Sequence, residues 1–95
     1  MERDDVKKFV YECAAKQFYG KEDQFYIKMS QSPDDGQDLL IYNEVGFDSL
    51  DIVEFIMSLE SRKDLYVRLP DNFFNLECTL RKVIDYIWED NKYQI

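Results

Sequence analysis

The sequence contains no histidine. That absence excludes Ser-His-Asp and Cys-His nucleophilic catalysis and every histidine-ligated metal site. Cysteine occurs only twice, at Cys13 and Cys78, with no Cys-x-x-Cys spacing. Such a pair reads as reduced thiols and not as a disulfide framework, which points to a cytoplasmic protein. Long apolar runs are also missing. The longest is Leu39-Leu40-Ile41-Tyr42, far short of the roughly 20 residues a membrane-spanning helix needs, and no targeting signal is visible. Basic residues are outnumbered, 12 Lys+Arg against 20 Asp+Glu for a net charge of −8. A nucleic-acid binder must neutralise phosphates, so this balance argues against one. No internal repeat or low-complexity segment appears.

What is present suffices for one small folded domain over residues 1–95. Hydrophobic residues make up 45% and aromatics 16% of the chain, which rules out a chain too polar to fold. At this length a large enzyme with its own substrate cleft is not expected. The acidity is concentrated. Between Met29 and Ser61 there is no Lys or Arg, while Asp34, Asp35, Asp38, Glu44, Asp48, Asp51, Glu54 and Glu60 all fall there. Such a stretch is either a solvated face or an electrostatic address for a basic partner. Asp34, Asp35 and Asp38 do not match a calcium loop, and no metal site is expected.

Apolar spacing predicts a helix over Met1–Phe18, with Val6, Phe9, Val10, Cys13, Ala14 and Phe18 on one face, Asp4 or Asp5 as its cap and Gly20 as its stop. Lys21–Phe47 reads as a long loop. Its two apolar pieces, Phe25-Tyr26-Ile27 and Leu39-Leu40-Ile41-Tyr42, are candidates for short paired strands. A second helix is expected over Ser49–Ser61, capped by Ser49, with Ile52, Phe55, Ile56 and Leu59 as its core stripe. Leu65–Leu69 alternates and reads as extended, and Asp71–Leu76 as a short helix. Thr79 is placed to cap a last helix through Glu89, with Leu80, Val83, Ile84, Ile87 and Trp88 facing inward. The expected fold is all-α, three longer helices and one short. Cys13 sits on the inner stripe as a core thiol, Cys78 lies at a helix boundary where exposure stays open, and Tyr86 and Trp88 read as packing residues.

The run Gly46-Phe47-Asp48-Ser49-Leu50-Asp51-Ile52-Val53-Glu54-Phe55-Ile56-Met57-Ser58-Leu59-Glu60 strongly resembles the acyl carrier protein family, whose motif reads G-x-D-S-L-D-x-V-E-L-V-M-x-L-E. Leu69-Pro70-Asp71 resembles that family's I-P-D. Thr79-Leu80 and Val83-Ile84-Asp85-Tyr86-Ile87 resemble its T-V and A-V-D-Y-I. The resemblance covers roughly residues 38 to 88. A longer, basic link holding Arg62, Lys63 and Arg68, and the bulky Phe73 and Phe74, point to a specialised member.

The resemblance implies an acyl-carrier-like four-helix bundle that is a substrate of enzymes and not an enzyme. It implies 4′-phosphopantetheine, donated by coenzyme A, on Ser49, flanked by Asp48 and Leu50. The arm's thiol then carries acyl or related cargo as a thioester, in lipid or secondary-metabolite biosynthesis. Asp48 is the acidic residue the family uses beside the Mg²⁺ of the loading reaction. Phe55, Phe73 and Phe74 crowd positions that line the family's acyl pocket. The implied partners are a phosphopantetheinyl transferase and acyl-processing enzymes with basic docking surfaces, engaging a monomer. The second helix turns about 100° per residue, so Leu50, Glu54 and Met57 lie away from its core stripe. With Asp51 and Glu60 they form the expected docking face. The alternative is an unloaded interaction module of the same fold that docks through this acidic face.

Overall fold

A computed structural model describes residues 2–93. Four α-helices carry the fold: α1 (Arg3–Ala15), α2 (Glu22–Ser30), α3 (Ser49–Glu60) and α4 (Leu80–Asn91). The architecture is all-α, with a single isolated antiparallel bridge, Leu40 to Thr79, among the described residues. α1 packs against both α3 and α4. Its inner stripe of Val6, Val10, Cys13 and Ala14 meets Ile52, Phe55 and Leu59 of α3 and Leu80, Val83, Ile84 and Ile87 of α4 in one core. The three periodic patterns read from the sequence therefore converge on a common interior, because each helix can bury its apolar stripe only against another.

The expected start of the first helix at Met1 lies outside the described residues. The cap is neither Asp4 nor Asp5 alone. Glu2 is the N-cap, and it exchanges bonds with Asp5 in a capping box. α1 ends at Ala15 and continues as a tight 3₁₀ turn over Lys16–Phe18. Gly20 then reverses the chain with φ +76°, a conformation costly for other residues.

The short fourth helix is not where the pattern placed it. Lys21–Phe47 is not a plain loop, and Phe25-Tyr26-Ile27 is not a strand. Those residues belong to α2, where Phe25 and Met29, four apart, are buried while Tyr26 and Ile27 face outward. Glu22 and Asp23 in its first turn and Lys28 in its last complement the helix dipole. Of the second apolar piece, Leu40 contributes only the bridge, and Ile41–Val45 forms a single π-type turn. Asp71–Leu76, in contrast, is a chain of turns. Phe73 N–H bonds to Pro70 O at 3.0 Å and Asn75 N–H to Phe73 O at 3.1 Å. The Asn75 side chain takes Glu77 N–H at 2.9 Å. Such local side-chain bonds compete with helical pairing.

Cys13 and Cys78 are both buried and free, which closes the question at Cys78. Burial pushes each thiol up to about 11. Thr79 caps α4 as expected, accepting Lys82 N–H at 3.3 Å. Trp88 packs partly buried against the core, and Tyr86 meets Phe73 edge to face at 5.1 Å. Among the described residues no helix is long and apolar enough to cross a membrane.

Candidate functional site

Asp48, not Ser49, is the N-cap of α3. It keeps extended backbone angles (φ −99°, ψ −177°), and Ser49 is the first helical residue. Asp48 wins because Asp51 lies three residues on. Asp48 Oδ1 accepts Asp51 N–H at 2.8 Å, and Asp51 Oδ2 accepts Asp48 N–H at 3.0 Å. A serine at the cap would spend its hydroxyl on that bond. With Asp48 at the cap, the Ser49 residue is exposed at the helix start.

The capping box has an electrostatic consequence. A helix start leaves several amides without intrahelical acceptors. Here the amides of Asp48 and Asp51 are consumed by the box, so those of Ser49 and Leu50 remain beside the serine. Free amides and the positive end of the helix dipole favour an anion at that point. A phosphodiester on Ser49 fits this environment. Asp48 works against it in charge.

Along α3 the remaining sequence-derived site residues separate cleanly from the core. Ile52, Phe55 and Leu59 are buried, and Ile56 is partly so. Leu50 and Met57 are 65% and 64% exposed. Asp51 and Glu54 are partly exposed, and Glu60 is exposed at the last residue of the helix. Val53, 52% exposed, extends the outward apolar strip. It was legible at i+3 from Leu50 but escaped the pattern drawn from Leu50, Glu54 and Met57.

The acidic stretch divides in three dimensions. Arg81 of α4 pairs with Asp34 and, at 2.7 Å, with Asp38, while Lys7 of α1 pairs with Asp35 at 2.7 Å. The Arg81 guanidinium holds the Asp38 carboxyl below its usual range. The first three carboxylates are therefore structural. They clamp an unusual turn in which Asp34, Asp35 and Gly36 all have positive φ. A Cβ on Gly36 would come within 2.6 Å of Met29 Sδ. Asp48, Asp51, Glu54 and Glu60 remain as the acidic rim of α3.

Behind the strip, a line of rings runs through the buried Phe47 and Phe55 and out to the surface at Tyr86. Phe18, Phe47, Phe55, Phe74, Phe73 and Tyr86 follow one another with centroids 6.0, 5.6, 5.9, 5.3 and 5.1 Å apart. Sequence reasoning also missed Tyr19, whose hydroxyl donates to Glu54 Oε2. The two lie 35 positions apart, so no local signal could have joined them.

No family model matches this sequence, and no solved structure gives a significant match. Among curated proteins, the "Acyl carrier protein" of Campylobacter lari is 33% identical over 84 residues, covering 88% of each chain. That similarity spans almost the whole four-helix fold and includes the segment that presents Ser49, and on it the chain belongs to the acyl carrier protein family.

Proposed function

We propose that this protein is a non-catalytic carrier that bears 4′-phosphopantetheine on Ser49 and tethers acyl or related intermediates for partner enzymes. The observation that carries the reading is the start of α3: an exposed serine at the first helical position, beside two amides that the Asp48–Asp51 box leaves free. When attached, the arm supplies a terminal thiol that holds cargo as a thioester.

The chain's own residues supply position and charge. Ser49 Oγ bonds to the pantetheine-bearing phosphorus of coenzyme A, and the bond from that phosphorus to the adenosine-bisphosphate leaving group breaks. The serine proton passes to the transferase. The free Ser49 and Leu50 amides would hold the phosphodiester's charge, and Asp48 would be the residue to help hold the transferase's Mg²⁺. The acidic rim of Asp51, Glu54 and Glu60 speeds encounter with basic partner surfaces, while Leu50 and Met57 hold the complex. Tethering raises the local concentration of cargo at each partner's active site. The carrier works as a cytoplasmic monomer in lipid or secondary-metabolite biosynthesis.

Incubation with coenzyme A, Mg²⁺ and a broad-specificity phosphopantetheinyl transferase tests this. Intact mass should rise by one arm in the wild type and stay unchanged in Ser49→Ala. An unchanged wild-type mass with several transferases would leave the unloaded interaction module as the better reading.

A further inference from the structure

Glu54 sits at the centre of the outward strip of α3, with Leu50 four residues before it, Val53 adjacent and Met57 three residues after. Its carboxylate is not left to water. Tyr19, from the turn that joins α1 to α2, donates its hydroxyl to Oε2. The turn is anchored from below. Phe18, partly buried, packs on Phe25 at 5.4 Å and on Phe47 at 6.0 Å, so the preceding residue is held against the core. Gly20 supplies the positive φ that redirects the chain. Tyr19 is thus held out over α3 and remains 71% exposed. The same bond raises the Tyr19 hydroxyl's proton affinity, which keeps it a donor at any physiological pH.

A carboxylate has two oxygens, and Tyr19 occupies one. Oε1 is left to an incoming guanidinium or ammonium group, and the rotamer that presents it is set before the partner arrives. The tyrosine ring widens the apolar strip on one side. A partner must then offer a cation for Oε1 next to an apolar recess that admits Met57 and leaves room for a phenol ring. No Lys or Arg of α3 competes for that cation site.

We propose that Tyr19 is a specificity-determining residue for partner docking, coupling the α1–α2 turn to α3 through Glu54 so that basic partners read both elements at once. The proposal rests on the carrier reading above and names the phosphopantetheinyl transferase as one such partner. Pre-setting Glu54 reduces the ordering a complex must impose, and that gain is realised in binding rather than in the chemical step.

The experiment follows arm transfer from coenzyme A by intact mass, at varied carrier concentration, for wild type, Tyr19→Phe, Glu54→Ala and the double variant. Tyr19→Phe should raise KM roughly three- to tenfold, the effect falling on KM and not on kcat, as expected for two coupled groups in contact. The double variant should be no worse than Glu54→Ala alone, because both changes break the same pair. Thermal midpoints should stay together, since an exposed hydrogen bond adds little to folding. A Tyr19→Phe KM equal to or below that of the wild type overturns the proposal, as do additive effects in the double variant. A wild type that gains no mass overturns the carrier reading and this proposal with it. Mass gain with an unmoved KM removes only the role of Tyr19.

Discussion

Asn91, at the end of α4, holds both backbone polar groups of Tyr66. Its Oδ1 accepts Tyr66 N–H at 2.8 Å, and its Nδ2 donates to Tyr66 O at 2.8 Å and to Ile87 O at 2.7 Å. The side chain is fully buried, and it does for Tyr66 what a neighbouring strand would do. Without it the stretch at 65–69 has no sheet partner among the described residues. Asn91→Ala should destabilise the fold by about 3 kcal/mol, three hydrogen bonds at roughly 1 kcal/mol each. Urea unfolding should report the loss as a lower midpoint, and amide exchange at Tyr66 should accelerate.

The Asp48–Asp51 box separates capping from charge. Asp48→Asn keeps an acceptor for Asp51 N–H, so it should fold almost as well as the wild type. Asp48→Ala removes that acceptor and should lose about 1 kcal/mol. If Asp48 acts in loading through its charge, both variants should take up the arm slowly. If it acts only as a cap, thermal melts and loading rates will move together, and Asn will rescue both.

The two thiols and Tyr11 set the alkaline limit. Burial pushes Cys13 and Cys78 up to about 11 and Tyr11 to about 12. The unfolded chain therefore releases these protons first. Stability should be intact below about pH 9, the ordinary thiol range, and should fall as pH rises through 9–11 and then 10–12. At pH 8 the native apo protein should leave a thiol reagent unreacted, urea should expose two thiols, and the loaded native protein should show one, that of the arm.

Salt should stabilise the fold, for a narrower reason than the raw charge run suggests. Asp34, Asp35 and Asp38 already have cationic partners in Arg81 and Lys7. The rim of α3 has none in its own helix, and the chain keeps its −8 charge. Moderate NaCl or Mg²⁺ should then raise the melting temperature by screening rim repulsion. A melting temperature flat in both would show that the rim carboxylates lie too far apart to repel.

The line of rings from Phe18 to Tyr86 should restrict cargo. Phe55 is fully buried and packed between Phe47 and Phe74. Long acyl groups should add little to the melting temperature of the loaded protein, and short or polar groups should be tolerated equally. Phe74→Ala should lower stability and let a long chain recover part of the loss by filling the space. Strong stabilisation of the wild type by a long chain would contradict this.

Much of this molecule was legible in the chain alone. Helical spacing in α1, α3 and α4 identified the residues that bury, because a helix with one apolar stripe has one way to hide it. The run from Gly46 to Glu60 identified the family and marked Ser49 as the proposed attachment site. Capping went astray by one residue at Asp48, since Asp and Ser are near-equal caps and only the reach of Asp51 decides between them. α2 was obscured because Phe25-Tyr26-Ile27 looks strand-like locally, while Phe25 and Met29 are called inward by a core assembled from distant elements. The turns at 71–76 went the opposite way for the same reason, with Phe73 and Phe74 drawn onto α3 and α4. Tyr19 on Glu54, Asn91 on Tyr66 and Arg81 on Asp34 and Asp38 were beyond any local reading. Each joins residues far apart in the chain, and only the packing of the helices and turns that carry them brings a donor within reach of its acceptor.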